Sequence, residues 1–145
     1  MDQIREFYGL ADSYCRFISA KPISAGDIPE LMELLMKLYL SAGALPDTEA
    51  ETTGSSGTER IRISFEKQVP ALYWEIFDPF VREDPVCMDL ADDLSDIATD
   101  LRSGMREYEA GRTGNAVFEW KFGFKNHWGS HTVDALRALH SVRFR

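Results

Sequence analysis

Asp84-Pro85-Val86-Cys87-Met88-Asp89-Leu90-Ala91-Asp92-Asp93-Leu94-Ser95-Asp96-Ile97-Ala98-Thr99-Asp100-Leu101 is the stretch on which the fold turns. Leu90, Leu94, Ile97 and Leu101 recur at steps of three and four, the spacing of one helical face, and Met105 and Tyr108 continue it. The pattern predicts a helix from Pro85 to residue 110, opened by the Asp84-Pro85 pair and stopped by Gly111. On that helix Asp89, Asp93, Asp96 and Asp100 fall within about 60° of one another, beside the leucine stripe. Asp92 lies further toward solvent. Glutamate is the better helix former, so repeated aspartate in mid-helix points to short carboxylates wanted near the backbone.

Working toward the C-terminus, Trp120-Lys121-Phe122-Gly123-Phe124-Lys125-Asn126-His127-Trp128-Gly129-Ser130-His131-Thr132-Val133-Asp134-Ala135-Leu136 supplies the complementary residue types. Its first part alternates like a strand and its continuation has helical period. With no second strand in view to complete a sheet, the expectation is one long central helix over 114–142. Trp120, Phe124, His127, His131, Asp134 and Ala138 then share one stripe.

Working toward the N-terminus, residues 2–20 carry Ile4, Phe7, Tyr8, Ala11, Tyr14, Cys15 and Ile18 at helical spacing. Asp27-Ile28-Pro29-Glu30 reads as a helix start, and Ile28, Leu31, Leu34, Leu35, Leu38 and Ala42 form its apolar stripe up to Gly43. Residues 43–58 are small and polar and read as a long mobile loop. Residues 59–69 fit strand alternation (Ile61, Ile63, Phe65) and helical spacing (Ile61, Phe65, Val69); they are taken as a short helix. Pro70–Phe77 is taken as another, with its aromatics packed in the core.

The fold expected is therefore all-α: a single domain over 1–145, built as a bundle of five or six helices. It divides into an N-terminal helical hairpin (1–42), the flexible loop (43–58) and a helical body (59–145). The 145 residues carry a net charge of −8. That argues against nucleic acid, whose binders need a basic face, and against anionic membrane. It leaves room for a basic protein partner or a divalent metal. Cys15 and Cys87 without a Cys-x-x-Cys motif read as buried thiols in a reducing compartment. The N-terminus shows no basic region followed by an apolar run, so the expected location is the bacterial cytoplasm.

Asp89-Leu90-Ala91-Asp92-Asp93-Leu94-Ser95-Asp96-Ile97, Trp120-Lys121-Phe122-Gly123-Phe124, His127-Trp128-Gly129-Ser130-His131 and Asp134-Ala135-Leu136-Arg137-Ala138-Leu139-His140 together resemble an uncharacterised bacterial family, domain of unknown function 5063. The resemblance covers most of the chain. It implies a small cytosolic bacterial protein and no particular activity.

If the histidine stripe faces the aspartate row, two arrangements satisfy the chemistry. One is a divalent metal (zinc, manganese or magnesium) on Asp93, Asp96, His127 and His131. The other is a buried hydrogen-bonded Asp–His network. Asp89, Asp92, Asp100, Trp120, Trp128 and Asp134 complete the candidate cluster. Two functions follow. The first is a non-enzymatic interaction or regulatory domain whose acidic helix and exposed aromatics take a basic partner. The alternative is a metal-dependent hydrolase of a phosphorylated small molecule, with Lys121, Lys125 and Arg137 as its available cations. Asp89-x-x-Asp92 and Asp93-x-x-Asp96 resemble in spacing the magnesium-holding pairs of all-α nucleotide pyrophosphatases.

Overall fold

The computed structural model describes residues 2–50 and 59–145. The chain is mostly helical, with a small two-stranded sheet. The helices are α1 (Asp2–Ser19), α2 (Ile28–Ala44), α3 (Leu90–Glu109), α4 (Thr113–Gly123) and α5 (Gly129–Arg143). A π-helical turn, Phe124–Trp128, joins α4 to α5 without a break, so the last two form one rod. The strands are β1 (Leu72–Glu75) and β2 (Val86–Asp89).

Counting that rod once, four helices stand among the described residues, where five or six were expected. Both short helices taken from the sequence are absent. Residues 61–65 are extended, and their burial alternates residue by residue. Their backbone bridges Ile23: the Ile23 amide donates to the Ser64 carbonyl and the Glu66 amide to the Ile23 carbonyl, each at 2.9 Å. Residues 72–75 pair antiparallel with 86–89 in the register Leu72↔Asp89, Tyr73↔Met88, Trp74↔Cys87 and Glu75↔Val86. Each strand is the other's missing partner, which removes the argument against a sheet. Pro70 and Pro85 precede strands, not helices.

Helix α3 consequently starts later than expected. Asp89 ends β2 and caps the helix, its side chain accepting from the Ala91 amide at 2.9 Å. The leucine stripe is as the spacing predicts: Leu90, Leu94, Ile97, Leu101 and Met105 are buried and Gly111 closes the helix at φ +82°. Around α3 pack α1, α4 and α5, and the Tyr14 hydroxyl of α1 reaches the Leu94 carbonyl at 2.8 Å. Gly104 lets the α4 helix approach closely, since a Cβ there would lie 2.2 Å from Trp120 Nε1. Phe7, Ala11, Tyr14 and Ile18 of α1 meet Ile28, Leu31, Leu35 and Leu38 of α2 in the same core.

The loop expected at 43–58 falls partly outside the described residues, which omit 51–58. Within it, α2 runs on to Ala44, Leu45 is buried, and Asp47 pairs with Lys125 at 2.6 Å. Other corrections concern exposure. Cys15 is buried but Cys87 is exposed. Trp74 and Phe77, expected in the core, are each 71% exposed. The described helices include none long and apolar enough to cross a membrane.

Candidate functional site

The π turn decides where the histidines point. On an uninterrupted α-helix, His127 and His131 would lie on the stripe of Trp120, inside the core. The turn absorbs one extra residue, so everything beyond it is rotated back by ~100°. Trp128 thereby joins Trp120 in the core, both fully buried, with the Trp128 indole donating to the Trp120 carbonyl at 3.0 Å. The Trp120 indole donates to the Leu101 carbonyl at 2.9 Å. His127 and His131 swing to the seam with α3, where the aspartates stand. Gly129 makes the turn possible, because a Cβ there would lie 2.2 Å from the Phe124 carbonyl oxygen.

At the seam, His127 Nδ1 lies 2.7 Å from Asp100 Oδ2, and His131 Nδ1 lies 2.8 Å from Asp93 Oδ1. The two Nε2 atoms face each other at 3.2 Å, with the rings nearly perpendicular. Asp96 Oδ2 is 3.3 Å from His131 Nε2. Asp96, His127 and His131 thus bring one ligand atom each within 4.8 Å of one another.

Asp93 stands differently from the other carboxylates. It is 1% exposed, and its two oxygens are taken by His131 and by the Tyr73 hydroxyl, which donates at 2.5 Å. It lies behind His131 and not at the gap between the imidazoles. Asp92 is exposed and shares Arg60 with Asp96, at 3.1 and 2.5 Å. Asp89 is a helix cap. Trp120 and Trp128 are core residues. Asp134 lines a separate hollow of about 770 Å3 with Tyr39, Glu75, Phe77 and Phe124.

The electrostatics follow the contacts. His131 is shifted upward chiefly by its hydrogen bond to Asp93, against the opposing effect of burial. Tyr73 is raised by burial and then by Asp93. Asp134 is pushed up to about 6 by burial first, then by Glu75 and Asp93.

Sequence reasoning missed Tyr73 and Arg60, which reach the site from β1 and the extended segment. It also missed the hairpin surface. Leu72 and Trp74 point outward from β1 by strand alternation. The Asp78-Pro79-Phe80-Val81 turn is closed by the Val81 amide on the Asp78 carbonyl, and Asp78 Oδ1 accepts from the Phe80 amide, both at 3.0 Å. The Glu83 carboxylate accepts from the Phe77 amide at 3.1 Å. This bonded loop presents Phe80 at 97% exposure. The available signal was the run of large apolar and aromatic residues Leu72-Tyr73-Trp74, a composition that suits a strand.

The domain of unknown function DUF5063 matches residues 1–145. None of the curated proteins matches. Among solved structures the chain is similar to protein BF1032 from Bacteroides fragilis, a structural genomics target. The TM-score is 0.74 at 19% identity, over 98% of this chain and 92% of that one. At that identity the likeness is one of fold.

Proposed function

The chain belongs to the DUF5063 family, and since that membership carries no activity we propose a function from the geometry: an interaction domain whose β-hairpin takes a basic, apolar-anchored protein partner. The observation that carries it is the ordered display of Trp74, Phe77 and Phe80. Isolated exposed apolar residues need no explanation, but three largely exposed aromatics within seven residues of one hairpin, two of them on a hydrogen-bonded loop, have the composition of interface anchors. Asp78, Glu83 and Asp84 surround it, all exposed, with Arg82 as the one cation in the 76–85 loop. An acidic rim favours a partner with lysine or arginine flanking its apolar anchor, and it raises the association rate. The overall charge of −8 works against a second copy as that partner.

The experiment is affinity capture with the wild type and with a Trp74→Ala/Phe80→Asp variant, at low and high salt. The proposed function expects a partner that the variant loses and that salt weakens. Identical capture by both proteins would contradict it.

A metal-dependent hydrolase of a phosphorylated small molecule is the second reading. The convergence of Asp96, His127 and His131 favours it, with His127 half-exposed to solvent. Phosphate release from p-nitrophenyl phosphate by zinc-, manganese- or magnesium-loaded protein tests it. Release that His127→Ala abolishes would support it, and the absence of release with every metal would contradict it.

A further inference from the structure

We propose that Asp96, His127 and His131 form a mononuclear site for a zinc-class divalent metal, with Asp93 and Asp100 orienting the two imidazoles. This stands independently of the hairpin surface.

The argument begins with hydrogen positions. A carboxylate only accepts hydrogen bonds. His127 Nδ1 faces Asp100 Oδ2 and His131 Nδ1 faces Asp93 Oδ1, so both Nδ1 atoms carry the hydrogen. A neutral imidazole protonated on Nδ1 has a bare lone pair on Nε2. The two Nε2 atoms are nevertheless 3.2 Å apart. Asp96 Oδ2, another acceptor, lies 3.3 Å from His131 Nε2. Three acceptors converge on one gap, and only a positive centre among them makes that arrangement favourable.

The spacing fits a metal. Nitrogen ligands ~2.0–2.1 Å from a tetrahedral zinc sit about 3.3 Å from each other. Each ligand is also held from behind. Asp100 and Asp93 supply the carboxylate partner that metal-bound imidazoles ordinarily have. Tyr73 fixes Asp93 in turn, and Arg60 holds Asp96 through Oδ1, leaving Oδ2 for the gap. Two imidazoles and one carboxylate select zinc over magnesium or calcium, which prefer all-oxygen sets. Three protein ligands leave a fourth position for water or a partner's side chain.

A proton shared by the two Nε2 atoms is the competing occupant, and the test separates it. Untagged protein is stripped with chelator and titrated calorimetrically with zinc chloride and with magnesium chloride. The expected result is one zinc per chain, with no response to magnesium. His127→Ala and Asp96→Asn each lower zinc affinity by at least ~100-fold. Asp100→Asn, which only releases the His127 ring, lowers it by about 10- to 100-fold. His127 is half-exposed, so its replacement leaves the fold intact, checked by circular dichroism. Cobalt(II) then gives the visible bands of a tetrahedral ion in the wild type and not in His127→Ala. Wild-type protein that takes no zinc holds a proton there and overturns the proposal. So does zinc binding that His127→Ala leaves unchanged, or magnesium binding equal to zinc.

Discussion

Tyr73 of β1 donates its hydroxyl to Asp93 of α3, and through that bond the surface hairpin reaches the buried end of the histidine pair. Tyr73→Phe removes the donor and leaves one oxygen of a 1%-exposed carboxylate unpaired. A loss of about 1–3 kcal/mol is expected in urea denaturation, the cost of a stranded buried acceptor. A loss below about 0.5 kcal/mol, the range of ordinary surface changes, would mean that Asp93 finds another donor.

Gly129→Ala addresses the π turn. The new Cβ meets the Phe124 carbonyl, which cannot rotate away as a side chain can. The turn must deform, and with it the angle between His127 and His131. The variant is expected to lose stability and zinc affinity together. Gly9→Ala, where a Cβ meets nothing, is the control: in the exposed interior of α1 it should leave zinc affinity unchanged and raise stability by about 0.5–1 kcal/mol, the helix preference of alanine over glycine.

The core prediction is simpler. Leu94 and Leu139 are fully buried, on α3 and α5. Truncation of either to alanine should cost about 2–5 kcal/mol.

The α3 stripe was legible because its apolar spacing is set by burial on one side, which period alone reports. The aspartates and histidines were legible as residue types at helical spacing, each set on its own helix, but the seam that joins them depends on the π turn. The π turn was not legible. Its signal is Gly129 at one position, and a straight-helix count sends both histidines into the core with Trp120. The strands were lost for a different reason. Pro70 and Pro85 carry the dihedral of a helix start equally well as that of an extended entry. The pairing of residues 72–75 with 86–89 is also a non-local fact that neither run shows by itself.

Asp134 gives a pH dependence with a definite sign. Its folded-state carboxyl is pushed up to about 6, from the ordinary aspartate value of 3.8. The folded state therefore binds the extra proton, and stability contributed by this group is lost as pH rises from about 4 to about 6. Asp134→Asn should flatten that part of the stability profile and raise stability at neutral pH. An unchanged profile would place the Asp134 carboxylate in open solvent.

The most direct measurement is long-range proton–nitrogen NMR of the histidine rings, with exposed His140 as an internal reference. In stripped protein at pH 8, His127 and His131 should both be protonated on Nδ1 and bare on Nε2. One equivalent of zinc should shift both Nε2 resonances and leave His140 unmoved. Either ring found with its hydrogen on Nε2, or zinc that shifts neither Nε2, would contradict a metal centre at Asp96, His127 and His131.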